Sequence, residues 1–333
     1  MLINGLKPLK LITNVSYLMH QSDIATIDSR TIRDVADTIM RLELVPDTFT
    51  DPRYYPPTDT DLEHAAAYFT TMVAIDHRTH QKRQYMLEIE GETYRGADLL
   101  WRLGKEMFDR DPEFFTAERL ANLDYQTLKR WLEPDELELW DLYTRLLLLR
   151  DLGRKTLELY SGRFTTLIQL SKGWLYNKGQ GFIELLKVYR AYEDPVEKKP
   201  FLLVKFLYRR GYLKVVDLES LQVPVDNHVT RIAFRLGIVE LSDELKRYIK
   251  KKLEVPYTID VSIRLTVRAA WKLVSLHAKI DPTVLDDYLW NHGRKTCRPD
   301  QPKCEQCPLK QACKAYNTGE YLNEHTYSIT WYY

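Results

Sequence analysis

The sequence predicts a mainly α-helical protein with two lobes, a small mixed α+β element in its N-terminal part and a cysteine-rich loop near its C-terminal end. Three observations support this class. Apolar residues recur at three- and four-residue spacing through most of the chain after Arg95, as on the buried face of a helix. The 333 residues lie near the length at which one hydrophobic core commonly divides into two. All four cysteines lie close together near the C-terminal end.

Residues 1–96 are predicted to form the mixed α+β subdomain. Residues 31–44 have the apolar spacing of a helix, whereas residues 85–94 alternate in polarity around Gly91, as in a β-hairpin. Residues 1–14 scatter lysines among apolar side chains and lack the continuous apolar core of a secretory signal. We therefore expect a cytoplasmic protein.

Residues 97–293 are predicted to form the helical core. The helical spacing of apolar residues covers segments 97–108, 136–160, 182–192, 201–208 and 261–276. Asp-Pro pairs follow three of the helical stretches and are typical of places where one helix ends and another begins. These pairs occupy residues 111–112, 194–195 and 281–282. Residues 294–333 form the third predicted part, the cysteine loop and C-terminal tail.

Composition and charge limit the classes of protein to which this sequence can belong. Hydrophobic residues make up 44% and charged residues 29% of the sequence, which is typical of a folded globular protein. The longest apolar runs, such as residues 146–149, are far shorter than the ~20 residues of a membrane span, so we expect no membrane partner. A net charge of +1 means that any nucleic-acid-binding surface must be local. The basic segments 246–252 and 294–314 are each either a solvated surface or a phosphate-binding one.

The four cysteines are candidate ligands of a metal centre. Cys297, Cys304, Cys307 and Cys313 follow the spacing C-x6-C-x2-C-x5-C. Because a disulfide framework is uncommon in a cytosolic chain of this size, ligation by thiolates is the favoured interpretation. Four-thiolate zinc sites usually contain two close pairs, whereas this spacing has one close pair with longer arms that suit a [4Fe–4S] cluster.

The cysteine loop resembles a known family. Residues 292–297 (HGRKTC), 302–307 (PKCEQC) and Cys313 are similar to the cluster loop of the endonuclease III family of DNA glycosylases. The resemblance implies a two-lobed, helical, DNA-glycosylase-like fold and a structural [4Fe–4S] cluster held by the four cysteines. It also implies that the basic residues of this loop face DNA.

A second motif contains a candidate catalytic carboxylate. Residues 224–232 (PVDNHVTRI) resemble the family's V-D-x-H-V-x-R segment, which implies that Asp226 is the catalytic residue. An ionised carboxylate can stabilise the oxocarbenium character of a sugar whose N-glycosidic bond is breaking, or activate water. The alternative is that Asp226 only caps the helix that begins at Asn227. His228 is predicted to contribute to packing or to the phosphate side of a substrate site.

Lys198 is a candidate nucleophile for additional strand cleavage. Residues 194–205 (DPVEKKPFLLVK) are similar to the lysine-bearing helix start of archaeal 8-oxoguanine glycosylases, which implies that Lys198 attacks the sugar and forms a Schiff base. Such an amine must be neutral, and adjacent Lys199 favours the neutral form. The alternative is a solvated, basic helix start. Val196 and Glu197 stand where this superfamily usually carries a phosphate-binding Gly-x-Gly turn, so the usual DNA anchor is weakened or replaced.

Parts of residues 60–291 also resemble the queuosine salvage glycosylases. The similarity is carried by residues 94–96 (YRG), 236–245 (LGIVELSDEL) and 286–290 (DDYLW). It implies cleavage of a modified nucleoside or nucleotide, with Asp226 as the catalytic carboxylate and Asp286 as a pocket acid. Val225 and Asn291 depart from that family's pocket pattern.

The loop at residues 171–181 is glycine-rich, polar and aromatic, and it is a candidate for binding an extruded base. Trp174 could stack on the base, although packing in the core is an equal alternative. Gln180 could read a base edge.

These features together predict an N-glycosylase that acts on double-stranded DNA with a damaged base, in base excision repair. Lyase activity follows if Lys198 attacks. The alternatives are a queuosine-type nucleoside or nucleotide glycosylase and a non-catalytic nucleic-acid-binding protein. We expect a monomer.

Overall fold

The computed structural model describes residues 24–79 and 83–333. The predicted absence of a secretory signal concerns residues 1–14, which lie outside the described residues. The chain forms two compact units. The first combines residues 24–46 with Val225–Thr330, and the second combines Asp47–Pro224 with Trp331–Tyr333.

Helices dominate both units, so the predicted mainly α-helical class is confirmed. The second unit contains eight of the described helices, numbered here in chain order from α2 to α9. They are Leu62–Ile75, Ala97–Arg110, Ala117–Ala121, Tyr125–Leu132, Leu142–Tyr160, Thr165–Ser171, Phe182–Leu186 and Lys198–Arg209. The predicted hairpin is also confirmed. Its strands β2 (Met86–Ile89) and β3 (Glu92–Arg95) pair antiparallel around Gly91, whose φ of +79° suits a glycine.

The core of the second unit is built around α2. This helix is buried along nearly its whole length, from Ala65 to Ile75. Aromatic side chains from three helices meet there: the Phe206 ring lies 5.3 Å from that of Phe69 and 4.8 Å from that of Trp101, measured between ring centroids. These contacts join α2, α3 and α9 into one packed array.

The first unit contains six described helices and a short sheet. The helices are α1 (Ser29–Met40), α10 (Asn227–Leu236), α11 (Asp243–Lys250), α12 (Tyr257–Ala278), α13 (Pro282–Lys295) and α14 (Lys314–Thr318). The Asp281–Pro282 pair starts α13 as predicted, because the Asp281 carboxylate accepts the Thr283 N–H at 2.7 Å and proline occupies the first turn.

The compact units divide the chain differently from the predicted boundaries at residues 96 and 293. Strand β1 (Ala25–Ile27) pairs antiparallel with β4 (Val239–Leu241), with Thr26 opposite Glu240. Helix α1 also packs against α12. Residues 24–46 therefore belong with the C-terminal half, and the cysteine loop belongs to that same unit. Across the described ranges, no helix is both long enough and apolar enough to cross a membrane.

Candidate active site and cysteine loop

Asp226 stands at the N-terminus of α10, at the end of an extended segment. Its Oδ1 accepts the Val229 N–H at 2.8 Å, and its carbonyl accepts the Thr230 N–H at 3.0 Å. The predicted helix cap is therefore confirmed. The side chain is partly exposed, and its other oxygen, Oδ2, has no hydrogen-bond donor within the described residues. The cap thus fixes one carboxylate oxygen and leaves the second available.

His228 lies in the first turn of α10 and faces the protein. Its Nδ1 lies 3.0 Å from Nη2 of Arg231, and burial lowers the pKa of the ring. A neutral ring accepts the arginine hydrogen bond at Nδ1. This packing accounts for the glycine at position 293, because a Cβ there would lie only 2.7 Å from the Cβ of His228. The structure thus gives His228 a packing contact, and its predicted part in substrate binding stays a prediction.

Arg231 connects the helix of Asp226 to the cysteine loop. Its side chain is fully buried and donates to the carbonyls of Cys297 and Gly293, both at 2.9 Å. It also pairs with Glu324 of the C-terminal tail at 2.8 Å. One guanidinium group therefore joins α10, the end of α13, the loop and the tail.

Arg235, one helical turn later, makes the same kind of connection. It donates to the carbonyls of Leu322, Arg298 and Pro299 at 3.0, 2.7 and 2.8 Å, and to Oδ1 of Asn323 at 2.6 Å. The sequence predicted an acid or a phosphate as the partner of Arg231, and Glu324 is such an acid, but it did not show that both arginines hold the cysteine loop. The available signal was two arginines spaced i,i+4 in a helix whose other residues are mostly apolar.

The four cysteines lie on one loop and are all partly buried, free thiols. Burial raises the pKa of Cys307 to about 11, and nearby Cys297, Cys313 and Cys304 act in the same direction. Burial likewise raises the pKa of Cys313. Burial is the main cause at both thiols, and charge on neighbouring cysteines acts in the same direction.

The chemistry of this loop fits an iron–sulfur group. Four thiols are the donor set that such clusters use, and a guanidinium nitrogen of Arg235 lies 3.4 Å from Sγ of Cys297, where it can offset thiolate charge. In the described part of the chain, no three His, Cys, Asp or Glu side chains come together closely enough to hold a metal ion. The [4Fe–4S] cluster therefore stays a prediction.

Lys198 begins α9 in the second unit and is buried, being 8% exposed. Its Nζ donates to the Asp76 carbonyl at 3.1 Å. The alternative of a solvated basic helix start is therefore wrong, because the α2 C-terminus covers this amine. Lys198 and Asp226 belong to different units.

Lys199 is more deeply buried than Lys198 and was missed as a distinctive residue. Its Nζ donates to the Ala74 carbonyl at 2.6 Å and lies 3.3 Å from Nδ1 of His77. Burial, together with the neighbouring charges of Lys198 and Arg145, holds the pKa of Lys199 well below its usual value. Of the two adjacent lysines, Lys199 therefore has the desolvated amine.

In the turn before α9, the carboxylate of Asp194 binds backbone amides of the turn. The Asp194 carboxylate accepts the Val196 N–H at 2.8 Å and the Lys198 N–H at 2.6 Å. Glu197 adopts a left-handed conformation with φ of 61°, and its carboxylate accepts the Tyr176 hydroxyl at 2.6 Å. A protein carboxylate thus occupies backbone amides of the kind that a phosphate would use in a glycine-rich turn.

The predicted base-binding loop exposes Trp174 and several polar residues, whereas Tyr176 is half-buried and Ser171 is buried. Trp174 is 39% exposed, so the alternative that it packs in the core is wrong. Gln180 is exposed as well. Two of the three loop glycines allow close packing: a Cβ at Gly173 would lie 2.2 Å from the Lys214 carbonyl oxygen, and one at Gly181 would meet the Leu175 carbonyl oxygen at 2.3 Å.

The predicted site residues fall into two groups. The first unit holds Asp226, His228, Asp286 and the four cysteines, with Asp286 buried on α13. The second unit holds Lys198, Trp174 and Gln180.

Comparison with known proteins finds relatives among glycosylases, although no family model matches. The chain is 24% identical over 204 residues to a queuosine 5′-phosphate N-glycosylase/hydrolase of Dictyostelium discoideum, covering 55% of this chain and 61% of the relative. It is 29% identical over 96 residues to endonuclease III of Sulfolobus acidocaldarius, covering 28% of this chain and 33% of the relative. The DEMETER-like protein 2 of Arabidopsis thaliana is 29% identical over 113 residues, which are 32% of this chain and 8% of that protein.

The resemblance to helix-hairpin-helix glycosylases is confirmed. These relatives support an N-glycosylase at the level of the superfamily. The chain spans less than two thirds of the length of each of them. A solved 8-oxoguanine DNA glycosylase from Pyrobaculum aerophilum, complexed with 8-oxoguanosine, is 15% identical with a TM-score of 0.39 and covers 80% of this chain and 89% of its own.

Proposed function

We propose that this protein is an N-glycosylase that removes a damaged or modified base from DNA, with Asp226 as its catalytic carboxylate. The observation that supports this most directly is the placement of Asp226. The helix cap fixes its Oδ1, its Oδ2 stays available, and Arg231 joins its helix to the cysteine loop. A carboxylate at the N-terminus of a helix also interacts favourably with the helix dipole.

The proposed reaction requires one carboxylate and one water. As the bond between C1′ and the base nitrogen breaks, the bonding electrons leave with the base and positive charge develops on the sugar. Oδ2 of Asp226 stabilises that charge and accepts a proton from the water that attacks C1′. The proton taken up by Asp226 then passes through solvent to the departing base, which regenerates the carboxylate, and C1′ gains the hydroxyl group of the water.

A basic surface beside the cysteines supports DNA as the substrate. Lys295, Arg298 and Lys303 are exposed, flank Cys297 and Cys304, and make no ion pair among the described side chains. The other basic segment is similarly mixed. Lys246 pairs with Glu240 and Asp243, and Lys250 with Glu320, whereas Arg247, Lys251 and Lys252 make no ion pair among the described side chains. Both basic segments are therefore candidates for phosphate contacts, which would weaken as salt rises.

Lyase activity through Lys198 would require its amine to leave the Asp76 carbonyl. We propose this only as an accessory activity. Borohydride should then trap a covalent adduct between the protein and DNA, and Lys198→Gln should abolish the adduct while base release continues. An adduct that persists in Lys198→Gln would assign the nucleophile elsewhere.

A second candidate is a nucleoside or nucleotide N-glycosylase of the queuosine salvage type. The turn before α9 favours it, because the Asp194 carboxylate occupies backbone amides of the kind that would bind a DNA phosphate. The queuosine 5′-phosphate glycosylase is also the relative that spans 55% of this chain.

The deciding experiment measures base release from duplexes carrying different lesions and, in parallel, from queuosine and its 5′-phosphate. Asp226→Asn should abolish release, because asparagine can still cap α10 but provides no anionic oxygen. Asp281→Asn is the matched control, since it changes another aspartate cap, that of α13. Release only from free nucleoside or nucleotide would replace the DNA proposal by the second candidate. Nucleic-acid binding without any release, unchanged in Asp226→Asn, would indicate a non-catalytic binding protein.

We propose that Cys297, Cys304, Cys307 and Cys313 hold the predicted [4Fe–4S] cluster as a structural group. Protein purified without oxygen should contain about four iron and four sulfide per chain, as the composition of the cluster requires. Cys304→Ser should lower both contents. Zinc without sulfide would contradict the cluster.

A further inference from the structure

Helix α12 holds the first turn of α10, the turn that carries Asp226. Nη2 of Arg264 donates to Oδ1 of Asn227 at 2.8 Å, and Nε1 of Trp271 donates to the Val229 carbonyl at 3.2 Å. Val229 is also the residue whose N–H binds Oδ1 of Asp226. Both contacts from α12 therefore bear on residues that follow the catalytic carboxylate within one turn.

Arg264 is itself held by a buried network. Its Nε donates to Oδ1 of Asp260 at 2.8 Å, and the same oxygen lies 2.7 Å from Nε2 of His325. The side chains of Asp260 and His325 are fully buried, and that of Arg264 is 1% exposed. His325 comes from the C-terminal tail, next to Glu324, which pairs with Arg231 on α10.

This buried network is not expected to contribute much to the stability of the fold. Well-packed apolar side chains often serve at least as well as a buried ion pair, because desolvation of two charges offsets most of their attraction. A buried network does, however, fix the direction of its hydrogen bonds, and here the last donor in the network points at Asn227.

We propose that the Asp260–Arg264 pair, secured by His325, is a positioning device that holds Asn227 and thereby sets the orientation of Asp226. This inference rests on the proposed function, since it assigns Asp226 the reaction. A carboxylate that must stabilise charge at C1′ needs a fixed position, and a displacement of ~1 Å can cost on the order of a hundredfold in rate. Arg264, Asp260 and His325 are buried away from solvent and act on Asp226 through Asn227.

The test compares two substitutions at one position. Asn227→Ala removes the acceptor for Arg264, whereas Asn227→Asp keeps an oxygen in its place. Asn227→Ala should lower the single-turnover rate of base release about tenfold or more while the substrate Kd changes less than about twofold. Asn227→Asp should recover most of the rate. Asn317→Ala, which alters an exposed asparagine on α14, should behave as wild type.

A second measurement does not depend on activity. Amide hydrogen exchange at Val229 reports the hydrogen bond to Asp226 directly, and it should quicken about tenfold in Asn227→Ala and stay near the wild-type rate in Asn227→Asp. Unchanged exchange at Val229 in Asn227→Ala overturns the proposal, as does an equal loss of rate in both Asn227 variants. If wild-type protein releases no base from any substrate, the proposed function fails, and the exchange rates still decide whether Arg264 positions Asp226.

Discussion

Buried cations in this protein are held mainly by backbone carbonyls. Arg145 is fully buried and donates to the carbonyls of Ile75 at 3.2 Å, His77 at 2.9 Å and Arg78 at 2.8 Å, and to that of Trp140. Burial lowers its pKa to about 10, so it stays charged at neutral pH. Three of these carbonyls, those of Ile75, His77 and Arg78, lie at and beyond the C-terminus of α2, where a helix dipole favours positive charge.

The first prediction concerns this arginine. Arg145→Leu should lower the free energy of unfolding by about 3–5 kcal/mol, because several buried carbonyls would lose their donor at once. Arg154→Leu is the matched control on the same helix, since Arg154 is exposed, and it should change stability by less than about 0.5 kcal/mol. Urea denaturation measures both. Similar midpoints for the two variants would contradict the role of Arg145.

At the scale of elements, close helix contact depends on a single glycine. A Cβ added at Gly153 on α6 would lie 2.3 Å from the Ala121 nitrogen and 2.5 Å from the Ala117 carbonyl oxygen, both on α4. These atoms belong to the backbone, so the contact cannot be relieved by a change of side-chain rotamer. The two helices approach this closely only because residue 153 has no side chain.

The second prediction follows from that contact. Gly153→Ala should destabilise the protein by about 1–3 kcal/mol through overpacking. Helix propensity alone predicts the opposite sign, since alanine is favoured over glycine by about 1 kcal/mol in a helix. Comparison of Glu158→Gly with Glu158→Ala, at an exposed position of α6, isolates the propensity effect. Thermal unfolding distinguishes the two, and a rise in Tm for Gly153→Ala would disprove the close contact.

At the scale of the whole molecule, stability should depend on pH through buried groups that are neutral in the folded state. Burial and the neighbouring Arg145, Lys199 and Lys198 hold the pKa of His77 well below its usual 6.5. Near pH 6.5, His77 therefore binds a proton in the unfolded chain but not in the folded chain. Stability from this group is complete above about pH 6.5 and is lost as the pH falls below it.

The third prediction is that His77 causes this loss of stability at low pH. Lowering the pH from 6.5 to 5 should cost up to about 2 kcal/mol of unfolding free energy for one proton. His77→Gln removes the titrating group, so its stability should fall less over the same range. His277→Gln changes an exposed histidine and should retain the wild-type slope. Urea midpoints at several pH values provide the comparison, and equal slopes in all three proteins would refute it.

Local features of the fold could be predicted from the sequence. The helical spacing, the hairpin at Gly91, the Asp-Pro start of α13 and the Asp226 cap all depend on neighbouring residues, and the structure confirms them. The pairing of β1 with β4 could not be predicted, because three-residue strands carry almost no periodic signal and their partner is far along the chain.

In the candidate site too, the local motifs could be predicted from the sequence, whereas the long-range contacts could not. The motifs identify Asp226 and the four cysteines, but periodicity assigns a residue to a buried face without naming what it contacts. The hydrogen bonds from Arg231 to the loop carbonyls and from Arg264 to Asn227 depend on three-dimensional proximity. The predicted cytoplasmic location and monomeric state stay predictions.

The division of the chain into units has a consequence for its synthesis. A ribosome releases the chain from the N-terminus, so all of Asp47–Pro224 emerges before β4 is made. Strand β1 must therefore wait, unpaired, while most of the second unit becomes free to fold. The unit that holds the cysteines and Asp226 can close only late, when translation has supplied both the partner strand and the thiols, so its candidate site is completed after residues 47–224 are available to fold.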